Sequence, residues 1–268
     1  MKNKNIIKEF AEQQYKTHQN LENRMKLWSY GSNPESLPKW IFSKIQLQEY
    51  EKVLELGCGT VQLWFENFNT IPSTCSIVLS DFSEKMVKKA EENLQPYKLP
   101  ITYEVIDAEK IQYPDKTFDV VVGCHMLYHI SNIQKTLKTV KKILKPGGRF
   151  IATTNSQLHL RELIDFLSEF DLYSGGRLKF ISEFRNESGR EVLKPYFSEI
   201  QFYEYNNNVN ISSVDVLMNY IESMFSGENF TKFQRKKAEV ETAIIKILEE
   251  KSFFKITGIS GLFKAKNL

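Results

Sequence analysis

Hydrophobic and polar positions alternate between two periods over residues 50–155. Short apolar runs fall at 52–57, 76–80, 101–106, 118–123 and 149–154, the lengths and β-branched content of buried strands. Between them, Met86, Val87, Ala90 and Leu94 mark one face of a helix over 83–95, and Ile133, Leu137, Val140 and Leu144 mark another over 131–145. Lys145-Pro146-Gly147-Gly148 then gives a helix stop. Strand and helix in strict alternation predict an α/β fold with a doubly wound parallel sheet.

The flanks follow another rhythm. Residues 5–48 read as helical, with Trp28, Tyr30, Trp40 and Phe42 near a Gly31–Pro34 break. After 155 the pattern predicts helices at 157–170, 187–196, 212–225 and 231–250, a Gly175-Gly176 loop, and strands at 199–206 and 253–265. The expectation is one domain over 1–268: an N-terminal helical lid segment (1–48), a sheet core (50–155), cover insertions with a sixth strand (156–250) and a last strand (253–265). Phe166, Phe170, Tyr173, Phe180 and Phe184 join the N-terminal aromatics as core or as pocket lining.

Composition narrows the class. Against 36 Lys+Arg stand 33 Asp+Glu, a net charge of +3, too small to mark a nucleic-acid or membrane surface. The basic run Lys232, Arg235, Lys236, Lys237 reads as a solvated helix face. No apolar run approaches the roughly 18 residues of a membrane span, and Met1–Phe10 lacks the apolar centre of a secretory leader. The Asn-x-Ser/Thr triplets at Asn186, Asn210 and Asn229 therefore carry no weight. Cys58, Cys75 and Cys124 have no zinc or disulfide spacing. A reduced, cytoplasmic protein without a metal is expected.

The candidate chemistry gathers where the strands end. Val53-Leu54-Glu55-Leu56 runs into Gly57-Cys58-Gly59-Thr60, a turn whose glycines permit positive φ and close approach of backbone to a ligand. Leu63, Trp64, Phe65 and Phe68 then suggest a helix whose first amides face the same ligand. Asp81, 22 residues past Gly59 at the end of the second strand, stands where a carboxylate takes ribose hydroxyls. Asp107-Ala108 ends the third strand, and Gly123-Cys124-His125-Met126-Leu127-Tyr128-His129 ends the fourth. A dinucleotide site is disfavoured, because its fingerprint needs glycine where Gln62 stands. Val61 is poorly suited to positive φ and is expected inside the first helical turn.

In order and spacing, Glu55–Thr60, Leu79–Ser83, Val105–Ala108, Phe118–Val122 and Leu144–Gly148 resemble the class I S-adenosylmethionine-dependent methyltransferases. The likeness is specific over residues 50–155 and is closest to the bacterial ubiquinone- and secondary-metabolite-type branch. It implies a Rossmann-like, mostly parallel seven-stranded sheet with an antiparallel last strand. It further implies that S-adenosyl-L-methionine (product S-adenosyl-L-homocysteine) binds to Glu55, Gly57, Cys58, Gly59, Asp81, Phe82, Asp107, Ala108 and the Cys124 carbonyl. Methyl transfer to O, N or C of a small molecule follows, with His129 or His125 as candidate base and Trp28 and Tyr30 as candidate acceptor contacts. Partners expected are the small-molecule acceptor alone, with no nucleic acid and no membrane, in a monomer or homodimer. RNA or protein methylation, and a nonmethylating cofactor-binding role, are the alternatives.

Overall fold

The computed structural model describes residues 18–173 and 183–268. The Gly175-Gly176 loop, Phe180 and the predicted helix before residue 18 lie outside the described residues. Two compact units emerge, each assembled from separated stretches of chain.

The larger unit, built on residues 35–156, 183–205 and 260–268, contains the predicted sheet. Its strands are β1 (Lys52–Leu56), β2 (Ser76–Asp81), β3 (Ile101–Val105), β4 (Phe118–Cys124) and β5 (Leu144–Asn155). Downstream come β6 (Ser198–Asn206), then β7 (Val209–Ile211) and β8 (Phe254–Ile256) of the other unit, and finally β9 (Ile259–Lys266). The sheet order is β3-β2-β1-β4-β5-β9-β6. Pairings among β1 to β5 are parallel, and β9 runs antiparallel to β5.

Alternation along each strand divides the core into two layers. Val53, Ile77, Val120, Val122 and Ile151 pack on one face with Trp40 and Trp64. Leu54, Leu56, Phe118, Val121 and Phe150 pack on the other with Leu137 and Val140. Helix Glu84–Leu94 buries Val87, Ala90 and Leu94, and Asn132 caps helix Ile133–Ile143 by accepting the Lys135 amide at 3.0 Å. That helix stops two residues before the predicted end. Leu144 is already extended (φ −73°, ψ 137°), as the approach to Pro146 favours, and Gly147 takes φ +77° within an irregular start to β5.

The smaller unit comprises residues 18–34, 157–173 and 206–259 among those described. Helices His18–Trp28, Arg161–Glu169, Val214–Ser223 and Gly227–Lys251 share a core in which Leu27, Leu163, Leu217, Phe233 and Ile244 are fully buried. The antiparallel pair β7–β8 belongs to it. The single strand predicted over 253–265 is therefore two strands serving two units. The break comes at Thr257, whose amide donates to Glu162 Oε2 at 2.8 Å instead of extending a ladder. At Gly258 a Cβ would lie 2.2 Å from the Asn207 carbonyl oxygen.

Candidate functional site

The carboxyl ends of β1 and β2 are tied together by backbone. The Cys58 amide donates to the Ser80 carbonyl at 2.8 Å. The Gly59 amide donates to Asp81 Oδ2 at 3.1 Å, and the Ser83 amide donates to Asp81 Oδ1 at 2.9 Å. Asp81 is buried, and burial raises its carboxyl above the ordinary value. Each of its oxygens still has lone-pair capacity for a hydroxyl donor. Gly57 and Gly59 take φ +72° and +52°. A Cβ on Gly59 would meet nothing within 4 Å, so this turn borders open space in which a ligand can lie against main chain.

Two details of the turn depart from expectation. The helix that follows is only Gln62–Phe65, too short for its dipole to bind a ligand; the turn's glycine backbone is what the site offers. Val61 is not in the first helical turn but precedes it, at φ +62°, ψ 28°. A β-branched residue held there costs about 1–3 kcal/mol. Full burial of its side chain among Cys58, Leu63 and Trp64 offsets that cost.

Glu55, one residue before the end of β1, is 2% exposed and receives the Trp64 indole N–H at 2.6 Å. Burial, with a smaller push from Asp81, lifts its pKa to about 8, so it is mostly protonated at neutral pH. On β3's exit, Asp107 Oδ1 accepts the Glu109 amide at 3.0 Å, and the Ala108 carbonyl accepts Thr136 Oγ1 at 3.1 Å. Phe82 is half-buried beside Asp81.

The β4 tip meets the glycine turn through Met126. A Cβ on Gly57 would come within 3.1 Å of Met126 Cβ, and one on Gly123 within 3.3 Å of its sulfur. Burial holds the Cys58 and Cys124 thiols well above their ordinary pKa, with Glu55 adding to the rise. Both are inert as nucleophiles. His125 stands at φ +50°, its amide shared between the Thr153 carbonyl (3.2 Å) and Thr153 Oγ1 (3.0 Å). Desolvation lowers its imidazole pKa to about 4, so it is neutral across physiological pH. His129 ends a 3-10 turn, its ring 4.6 Å from that of Tyr128.

All the residues singled out on β1 to β4 thus meet along one edge of the larger unit. Trp28 and Tyr30 belong to the smaller unit. There Trp28 stacks on His159 at 5.1 Å and meets Tyr220 edge-on, while Tyr30 is 46% exposed. Sequence reasoning missed Thr153, which positions His125. Among the described residues, no group of His, Cys, Asp and Glu could hold a metal, and no helix is long and apolar enough to cross a membrane.

The chain is similar to known proteins over its sheet core. Residues 54–152 match the family model described as a methyltransferase domain. The chain is 30% identical over 149 residues to a demethylmenaquinone methyltransferase of Symbiobacterium thermophilum, covering 54% of this chain and 58% of the relative. It is 32% identical over 135 residues to the ubiquinone/menaquinone biosynthesis C-methyltransferase UbiE of Methylococcus capsulatus, covering 50% and 53%. The chain thus spans about half the length of the curated relatives it matches. A putative methyltransferase of Bacillus halodurans shares the fold, with TM-score 0.55 and 17% identity over 87% of this chain and 99% of the other.

Proposed function

We propose that this chain, whose residues 54–152 match the methyltransferase domain model, is an S-adenosylmethionine-dependent methyltransferase acting on a small organic molecule. The observation that carries the reading is the β1–β2 tip. There, open space beside Gly59 adjoins a buried Asp81 carboxylate whose oxygens are aligned by two backbone amides.

When bound, S-adenosylmethionine supplies a methyl group made electrophilic by its sulfonium. The protein's task is then to hold an acceptor in line at about 3–3.5 Å, exclude water and manage a proton. In this reading Asp81 takes the ribose hydroxyls, and Phe82 and Asp107 with Ala108 border the adenine. The Gly57–Gly59 backbone, the Cys124 carbonyl and Glu55 would border the methionine portion. His125, neutral and a weak base, serves as a hydrogen-bond partner rather than a proton acceptor at pH 7. His129 is the remaining histidine candidate for the base.

Calorimetric titration with S-adenosylhomocysteine tests cofactor binding, and transfer of labelled methyl into fractionated cell extract tests turnover. One saturable site and a labelled small molecule are expected. Label found in RNA or protein would reassign the acceptor. Binding with no transfer would make the chain a nonmethylating cofactor binder.

A further inference from the structure

The glycine turn after β1 is bonded to its surroundings at successive residues. The Cys58 amide donates to the Ser80 carbonyl at 2.8 Å, the Gly59 amide to Asp81 Oδ2 at 3.1 Å, and the Val61 amide to the Cys58 carbonyl at 3.0 Å. Those partners lie on β2 or within the turn itself. The Thr60 carbonyl is met from farther along the chain: Asn93 Nδ2 donates to it at 3.3 Å, 33 positions away in sequence. The Thr60–Val61 peptide is therefore held from both sides, its oxygen by Asn93 and its N–H by Cys58.

That peptide leads into Val61 at φ +62°. A β-branched side chain is strained there, and turning the Thr60–Val61 peptide changes this φ directly. A bond to the Thr60 carbonyl opposes that escape. Asn93, itself half-buried, is carried by a helix fixed in the same layer of core. Helix Glu84–Leu94 buries Ala90 and Leu94 in the cluster that contains Cys58, Val61 and Trp64. The approach to this helix is tied as well, because the Ser83 amide donates to Asp81 Oδ1 while the Gly59 amide takes Oδ2. One helix thus holds the turn at two points, Gly59 through Asp81 and Thr60 through Asn93. Asparagine is a weaker helix former than leucine; what it adds at position 93 is the donor for Thr60.

We propose that Asn93 is a positioning residue for the cofactor, its carboxamide holding the strained Gly59–Val61 turn in the form that binds S-adenosylmethionine. The inference rests on the methyltransferase reading above. Asn93 acts through the Thr60 carbonyl, ordering the turn before the ligand arrives and so lowering the cost of binding.

The test uses the full chain, with S-adenosylhomocysteine as probe, calorimetry for affinity, and 15N amide spectra with Gly59, Val61, Val120 and Ile151 assigned by triple resonance. Asn93→Leu removes the donor, and Asn93→Asp keeps the shape while its carboxylate can only accept. We expect affinity to fall roughly fivefold or more in both variants. In the free variants the Gly59 and Val61 signals should move or broaden, and saturating ligand should return them toward their wild-type bound positions. The Val120 and Ile151 signals, from the sheet interior, should stay in place, which separates release of the turn from general loosening. If Asn93→Leu fails to fold, Asn93→Asp carries both measurements. Affinity within about twofold of wild type, unmoved Gly59 and Val61 signals, or shifts shared equally by Val120 and Ile151 overturn the proposal. Failure of the wild type to bind S-adenosylhomocysteine overturns instead the reading on which it rests.

Discussion

The two halves of the sheet's carboxyl edge treat their polar groups in opposite ways. At the β1–β3 end, Asp81 and Asp107 are met by backbone amides, and Glu55 by an indole. At the β4–β5 end, His125 and Asn186 bury polar atoms that none of the described residues meets. An edge whose groups are already aligned binds a ligand with little ordering cost. Groups left unpaired destabilise the free protein and favour whatever ligand supplies their partners. The first half is built as a fixed cradle, and the second leaves buried polar atoms unmet.

The largest expected effect lies in the cradle. Gly59→Ala places a methyl in the open space beside the turn, at a φ of +52° that alanine tolerates poorly. S-adenosylhomocysteine affinity should fall by roughly two orders of magnitude, about 2.7 kcal/mol, in a calorimetric titration. Retained affinity would mean that the space beside Gly59 is not the cofactor's.

A second contrast appears in pH dependence. Glu55 has a folded pKa raised to about 8 from 4.5, so the folded state keeps a proton that the unfolded chain releases, and rising pH erodes stability. His125 has a folded pKa lowered to about 4 from 6.5, so its contribution is lost as pH falls through that interval. From pH 4.5 to 6.5 the two slopes oppose each other. From 6.5 to 8 only Glu55 acts, and stability should decline with rising pH by at most about 2 kcal/mol. Urea unfolding at pH 6.5 and 8 measures this decline, and Glu55→Gln should abolish it. A decline that persists in Glu55→Gln would assign it to another group.

The smallest effect concerns Val61. Val61→Gly loses a buried side chain but relieves the left-handed backbone, whereas Val61→Ala loses packing and keeps most of the strain. The glycine variant should therefore unfold at higher urea than the alanine variant, by about 1 kcal/mol. The reverse order would show that the turn is not strained.

The cradle was legible in the sequence because it is local. Glycine turn, Asp81 and Asp107 each lie within a few residues of a strand whose apolar run is unmistakable, and β1 to β4 appeared where predicted, while β5 begins five residues before its predicted start. What escaped depended on distant chain. Nothing near Asn186 announces its burial, since its surroundings come from β5, β6 and β9. The 253–265 run looked like one strand because its apolar content is continuous. The break at Thr257 and Gly258 is set by Glu162 and Asn207, which no local pattern reveals. Val61's backbone was misjudged for a related reason: the burial that holds it in place comes from residues assembled only in the fold.

The placing of the cofactor along this edge is tested most directly by titrating S-adenosylhomocysteine into wild type, Asp81→Ala and Asn186→Leu in one calorimetric series. We expect a single saturable site in wild type, little or no binding to Asp81→Ala, and near-wild-type affinity in Asn186→Leu. Equal binding by Asp81→Ala, or loss of binding in Asn186→Leu, would contradict the assignment of the cofactor to the β1–β3 half of the edge.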